Sequence, residues 1–536
     1  MQKWWENRVI YQIYPMSFYD SDGDGYGDLK GITEKLDYLR DLGVGAVWLS
    51  PVYASPMEDN GYDISDYCAV NPLFGTMTDM ERLIREAHDR DLKVMMDLVI
   101  NHTSTAHPWF RNSVMGIEPY KDFYIWRTPK DGKKPNNWNG FFGGDVWEYV
   151  PRRGQYYLHL FSKGQPDLNY DNPEVLEAVK CVLRFWLEKG IDGFRCDVIN
   201  ILFKESLDNG KPGLPCGIEH YRSTPGTHRI LQELQDTVFS RYGAFTVGET
   251  VLVSPEEAPD FVEGARPELN QIFYFDHVYS NQIGIKWFRK RFSPAAFQKQ
   301  IARWSKALTW NANFLENHDL PRCVSWIGED GKNRSKAAKM LCMMLLSLRG
   351  TPYIYQGQEI GMTNYPFRIP EDIRDVEALN ILKLAEKIRI PKFYREEMIR
   401  KVSRDNARTP MQWNSGLNAG FSVGNPWINV NANHFRINIE DEQNDPKSVL
   451  AFYKKMIRLR NGDPVLIQGD FDTLSIGDVF IYSRCYNGKE YRVLLNFTDR
   501  GQKIGSVSDI LISTDGVKAD HVESLLPFEG IIARIK

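Results

Sequence analysis

The chain has few of the marks that tie a protein to a membrane, a nucleic acid or an oxidising compartment. No apolar run approaches the roughly 18 residues that a membrane-spanning helix needs. The opening MQKWWENRVIYQIYP carries no apolar stretch behind its first charges, so it does not read as a secretory leader. The cysteines, Cys68, Cys181, Cys196, Cys216, Cys323, Cys342 and Cys485, are odd in number, scattered and without C-x-x-C spacing. That pattern argues against a disulfide framework and against a zinc site, and it suits a reducing, cytoplasmic setting. Lys+Arg number 66 against Asp+Glu 70, interspersed along the chain, so no basic stripe offers itself to nucleic acid or anionic lipid. A small neutral or polar ligand fits that balance. Tandem repeats and low-complexity tracts are absent, and nothing in the sequence speaks to oligomeric state.

What is present is alternation. At 536 residues the chain exceeds one compact core. Short β-rich runs alternate with helical patterns, which predicts βα units and a parallel sheet. Eight such runs stand at Val9 to Tyr14, Ala46 to Ser50, Val94 to Val99, Gly193 to Asp197, Phe245 to Glu249, Gln271 to Phe275, Asn313 to Leu315 and Pro352 to Tyr355. Between them, apolar residues recur at three and four over Ile32 to Leu42, Thr78 to Asp89, Pro173 to Lys189 and Ser335 to Ser347, predicting amphipathic helices. Eight units close into an α/β (β/α)₈ TIM barrel, whose functional side chains come from the C-terminal ends of the strands.

Two stretches interrupt the alternation. Residues 102–170, rich in Trp, Gly, Pro and Asn, are too long for a loop and predict an inserted subdomain after the third strand. Residues 371–425 form a second insertion, containing RDNARTPMQW. From 462 the runs GDVFIYSRCY, EYRVLLNF and GIIARIK predict an antiparallel β domain. The expected domains are thus a barrel over 1–101 and 171–461, the insertion over 102–170, and a C-terminal β domain over 462–536.

Three of the strand ends carry acids: GFRCD at Asp197, FTVGE at Glu249 and ENHD at Asp319. Singly, an acid at a strand end reads as a helix cap or a salt-bridge partner. Three together, with Arg195, His318 and His102 on the same set of strand ends, meet the requirements of a site that cleaves an acetal. Such a site needs one group to protonate the departing oxygen and another to trap the oxocarbenium-like carbon.

The ordered blocks VIYQIYPMSF, DSDGDGYGDLKGI, AVWLSPVY, NGYDISDY, DLVINHTS, QPDLN, GFRCDVI, VGET, ENHDLPR, GTPYIYQGQEIGM and RDNARTPMQW span nearly the whole chain. Through them the sequence resembles the α-amylase family, glycoside hydrolase family 13, and within it the oligo-1,6-glucosidases and dextran glucosidases. The resemblance implies Asp197 as nucleophile, Glu249 as general acid and base, and Asp319 as the carboxylate that binds ring hydroxyls. It places Tyr62, His102, Arg195 and His318 around the same sugar, and pairs Asp63 with Arg404 to close the pocket over a terminal glucose. Arg195, two residues before Asp197 on one strand and so on the same face, is expected to keep that carboxylate ionised, and Glu249 to have its pKa raised. Val198, directly after the nucleophile, accompanies α-1,6 preference in this subfamily, as do QPDLN and Thr250.

No organic cofactor is implied. Asp20, Asp22, Asp24 and Asp28, with the Tyr26 carbonyl, follow an acidic spacing that offers hard oxygen ligands. The twelfth-position glutamate of an EF-hand is missing, and relatives carry a structural Ca²⁺ or Mg²⁺ here. Cys196, Tyr170 and the Gly- and Pro-rich stretch Lys204 to Gly226 depart from the family pattern. The expected activity is exo-acting, retaining hydrolysis of α-1,6 bonds in isomalto-oligosaccharides. Its rivals are α-1,4-glucosidase or sucrase, trehalose-6-phosphate hydrolase, sucrose isomerase, and a barrel without chemistry that serves as a binding partner.

Overall fold

A computed structural model describes residues 3–129, 131–213, 215–516 and 521–535, so 517–520 and 536 of the expected last domain lie outside the described residues. The eight runs become strands β1 Ile10–Ile13, β2 Ala46–Leu49, β3 Lys93–Leu98, β4 Gly193–Cys196, β5 Phe245–Glu249, β6 Gln271–Phe273, β7 Asn311–Asn313 and β8 Gly350–Tyr355. They form one sheet in the order β6-β5-β4-β3-β2-β1-β8-β7. Neighbours run parallel wherever the register is given. Nearly all of these residues are buried, as strands covered on both faces must be. The seventh strand sits two residues earlier than the sequence predicts. Its pairing with β8 ends at Asn313↔Pro352, where proline has no N–H to extend the ladder.

The helices follow their apolar spacing. Helix Met77–His88 buries Met80, Leu83, Ile84 and Ala87 on one face, and it starts in a reciprocal cap: the Asp79 N–H donates to Thr76 Oγ1 and the Thr76 N–H to Asp79 Oδ2. Helix Pro173–Glu188 starts on an Asn172 cap with proline in its first turn. The helix predicted over Ile32 to Leu42 is instead two, Leu29–Glu34 and Leu36–Leu42, broken at Lys35. There the ammonium lies over the rings of Tyr19 at 3.8 Å and Trp413 at 4.6 Å, a cation–π contact that a continuous helix does not supply.

The chain divides into two compact units, Met1–Val47 with Asp89–Leu92 and Tyr274–Lys536, and Trp48–His88 with Lys93–Phe273. In the second unit, the stretch between β3 and β4 folds into a small antiparallel sheet of Trp126–Arg127, Gln155–Leu158 and Trp147–Val150. Trp138, Val146, Trp147, Leu158 and Leu160 make its core, and Val198 of the barrel packs into the same cluster.

In the first unit, β9 Asp470–Ser475, β10 Val479–Tyr486, β11 Lys489–Asn496, β12 Ile510–Ser513 and β13 Gly530–Ile535 form an antiparallel C-terminal sheet in the order β9-β10-β11-β13-β12. Its β10–β11 turn is Asn487-Gly488, both at positive φ (48° and 78°), the backbone that a two-residue hairpin requires.

Arg484 of β10 is fully buried. Its guanidinium donates to the carbonyls of Ser347, Leu466, Ile467 and Gly469. It thereby closes the C-terminal end of helix Pro464–Gln468, whose last carbonyls have no helical partner. Arg484→Met removes those donors and leaves the carbonyls dry. We expect a stability loss on the order of 3–5 kcal/mol in urea unfolding, and a loss under about 1 kcal/mol would contradict this account.

Candidate active site

In the second unit, strand register builds the site. Asp97 on β3 and Val247 on β5 both stand directly opposite Arg195 on β4. In parallel strands residues two apart share a face. The next pair on that face is therefore Asp197 beside Glu249, on strands about 4.8 Å apart.

The guanidinium of Arg195 bridges all three acids. Nη1 donates to Asp97 Oδ1 and, at 2.7 Å, to Asp197 Oδ1; Nη2 donates to Glu249 Oε2 at 2.5 Å. Asp97 also accepts from Trp48 Nε1 at 3.0 Å and Tyr62 Oη at 3.3 Å. The rings of Trp48 and Tyr62 flank the guanidinium at 5.4 and 5.8 Å.

One buried cation among three carboxylates leaves an excess of negative charge that the interior does not solvate, so protons are retained. Burial drives the Asp197 carboxyl well above its usual range, and the charges of Glu249 and Asp97 push it the same way against the pull of Arg195. Burial likewise lifts Asp97 to about 6 despite Arg195. Arg195, bonded to the Asp197 carboxylate at 2.7 Å, favours its ionised form, and burial opposes that pull. Arg195 thus holds Asp197 and Glu249 side by side through two nitrogens of one planar group.

Around this centre, Tyr62 and His102 are buried. His102 takes the Tyr62 carbonyl at 3.2 Å and the Asn101 amide at 3.2 Å, and burial lowers its pKa to about 4, so its ring is neutral at pH 7. Asp63, also buried, accepts from Ser55 Oγ and the N–H groups of Glu58 and Asp59. Val198 has φ 37° and ψ 40°, the left-handed region in which a β-branched side chain is strained. Its N–H points to Glu249 Oε2 at 3.4 Å, and its side chain is held in the cluster of Ile125, Trp138 and Tyr221.

The first unit assembles the other candidates. Asp319 Oδ1 accepts from Arg408 Nη2 at 2.8 Å and from Arg404 Nη1 at 3.5 Å, and Oδ2 faces His318 Nε2 at 3.3 Å. His318 is held from behind by Gln12 Nε2 at 2.8 Å from its Nδ1. Burial alone would raise the Asp319 pKa, but His318, Arg404, Arg408 and Lys286 together outweigh it and hold the carboxyl far below its usual range. The side chain keeps 33% exposure, so this ionised group still presents a face to a ligand. Arg404 in turn donates through Nε and Nη2 to Asp375 Oδ1 at 3.0 and 2.8 Å.

Sequence reasoning missed Asp97, Arg408 and Asp375. Arg408 carries a signal, since it lies four residues after Arg404 around a short helix. Asp97 and Asp375 carry none: one depends on register with β4, the other on a contact 29 residues away.

The acidic loop lies in the first unit. Carboxylate oxygens of Asp20, Asp22 and Asp28 come within 4.8 Å of one another. Asp24 stands outside that group, its Oδ1 accepting the Tyr26 N–H at 2.8 Å. Asp20 is fixed by the N–H groups of Gly23 and Gly25 and by Ser422, and Asp28 by Ser21 and Gly31. Asp28 Oδ2 and Asp22 Oδ1 each accept a single hydrogen bond and so keep acceptor capacity, whereas both Asp20 oxygens and Asp28 Oδ1 already accept two; the donor set is hard and anionic, the chemistry that suits Ca²⁺ or Mg²⁺. Among the described residues no helix is long and apolar enough to cross a membrane.

Burial raises the Asp375 pKa, but Arg404 and Arg408 hold it down at about 2, below the usual carboxylate value near about 3.9. A depressed folded-state pKa adds stability above the unfolded value that is lost as pH falls through the folded one. Asp375→Asn is expected to cost on the order of 2 kcal/mol at pH 7. The gap to wild type should shrink between about pH 4 and pH 2 in denaturant titrations, and a gap independent of pH would contradict the ion pair.

The family model for the catalytic domain of alpha amylase matches residues 12–469. The chain is 48% identical to an oligo-1,6-glucosidase of Parageobacillus thermoglucosidasius, covering 99% of both chains. It is 44% identical to a trehalose-6-phosphate hydrolase of Bacillus subtilis strain 168, over 99% of this chain and 98% of that one. Its fold is similar to the crystal structure of the trehalulose synthase MutB from Pseudomonas mesoacidophila MX-45, with TM-score 0.96 and 40% identity over the whole of both chains. A bridged carboxyl pair at adjacent strand ends, a separate ionised aspartate, an eight-stranded parallel sheet and full-length identity converge: this chain belongs to the α-amylase catalytic-domain family of glycoside hydrolases.

Proposed function

We propose that this enzyme is a retaining, exo-acting α-glucosidase that hydrolyses α-1,6 bonds at the non-reducing end of isomalto-oligosaccharides. The observation that carries the reading is the strand register that sets Asp197 beside Glu249 with Arg195 holding both, an arrangement in which one acid can carry a proton beside a carboxylate. Glu249 delivers that proton to the glycosidic oxygen while Asp197 attacks the anomeric carbon, giving a covalent glucosyl-enzyme and a free leaving sugar. The ionised Glu249 then takes a proton from water, whose oxygen attacks the same carbon and releases Asp197. Two inversions give net retention. Neighbouring strands at the register of β4 and β5 support the roughly 5–5.5 Å carboxyl spacing of retaining enzymes.

Asp319, ionised throughout, accepts hydrogen bonds from ring hydroxyls. By the family resemblance we assign Tyr62, Asp63, His102, His318 and Arg404 to binding of the terminal glucose. Val198 and the names carried by relatives such as the Parageobacillus protein support the α-1,6 linkage. We place a structural Ca²⁺ or Mg²⁺ on Asp20, Asp22 and Asp28, with no role in bond cleavage. Cysteines that are all unpaired support a cytoplasmic enzyme.

Turnover of isomaltose, maltose, sucrose and trehalose 6-phosphate tests the linkage. Isomaltose is expected to give the highest kcat/KM, and a preference for trehalose 6-phosphate would replace the reading with that of the Bacillus subtilis relative. Asp197→Asn and Glu249→Gln should each lower kcat by at least about 10³-fold with the fold intact by circular dichroism; near-wild-type turnover refutes the roles. Chelation with EDTA should lower Tm without altering the order of substrates, and an unchanged Tm removes the metal.

A further inference from the structure

Arg404 lies on the loop that follows helix Lys392–Val402, away from any barrel strand, so something else must fix its guanidinium. We propose that Asp375 is a positioning residue for sugar binding, gripping Arg404 so that its Nη1 faces Asp319 and the terminal glucose. The inference rests on the proposed place of Arg404 at that glucose.

The geometry carries it. Asp375 Oδ1 accepts from Nε and Nη2 of Arg404 at 3.0 and 2.8 Å, and Oδ2 accepts the Arg404 backbone N–H at 3.3 Å. One carboxylate thus holds both the backbone and one edge of the planar fork. The fork being rigid, this fixes the direction of the remaining nitrogen, Nη1, which lies 3.5 Å from Asp319 Oδ1. Asp375 has no exposed surface, so it does not itself touch a substrate.

Asp375 is in turn held on every side. It caps helix Val376–Lys387 by accepting the Glu377 N–H at 3.0 Å, and its own N–H donates to Asp405 Oδ2 at 3.0 Å. Asp405 Oδ2 also takes the Arg374 N–H at 2.8 Å. Phe367, Ile369, Ile373, Ala378, Met398 and Val402 bury the two helices against one another. The rigidity of a packed helix pair therefore reaches the arginine chiefly through Asp375 at 2.8 Å, with Glu377 Oε2 farther off at 3.7 Å from Nε, as preorganised sites require.

Asp375→Asn tests this cleanly, because asparagine is as good a helix cap and is isosteric, yet loses the charge that orients the guanidinium. We expect kcat/KM on the best substrate to fall by about tenfold or more, chiefly through KM, since Arg404 grips the sugar in ground and transition states alike. Inhibition by free glucose should weaken by a similar factor. In an Arg404→Ala background the same substitution should change neither quantity, and Asp375→Glu should recover part of the loss. A kcat/KM within twofold of wild type for Asp375→Asn, or an equal loss in the Arg404→Ala background, overturns the role. A wild-type enzyme that prefers maltose overturns only the α-1,6 reading, and the same cycle on maltose still decides the role of Asp375.

Discussion

The active site depends on one guanidinium that holds three carboxylates. Arg195 is buried and bonded to Asp97, Asp197 and Glu249, with aromatic rings on its faces. Without it, three acids would converge in a desolvated site and repel one another. With it they converge, although one cation against three carboxylates leaves them two positive charges short. Burial first, and the neighbouring carboxylate charges after it, displace Asp197 and Asp97 upward against the pull of Arg195.

Asp319 is tuned in the opposite direction by the opposite arithmetic. Arg404, Arg408 and His318 face a single carboxylate, which stays ionised far below the ordinary range. Environments that drive chemically identical side chains apart divide roles among them. In the mechanism we propose, one set hands a proton to a leaving group and the other accepts hydrogen bonds from hydroxyls. The buried Asp375 extends this second set outward, joining the arginine to a helix pair.

Backbone geometry adds a further constraint at Val198. The chain turns into the left-handed region directly after Asp197, where valine is strained by roughly 1–3 kcal/mol. Packing against Ile125, Trp138 and Tyr221 holds the turn, so the inserted subdomain helps fix the residue next to the reacting carboxylate. A side chain read from sequence as a linkage determinant is thus also a packing residue.

The sequence by itself determined the alternation of eight strands with amphipathic helices, the antiparallel C-terminal sheet, and the acids at the ends of β4 and β5 and in the ENHD run beyond β7. Those features follow from periodicity and from strand ends, which are local. The break at Lys35, the earlier start of β7, the partners Asp97, Arg408 and Asp375, and the direction in which Asp197 is displaced were decided only by tertiary structure. Cation–π contacts, register and desolvation arise between segments far apart in the chain, and a pKa is set by the sum of the charges and the water that the fold brings close or excludes.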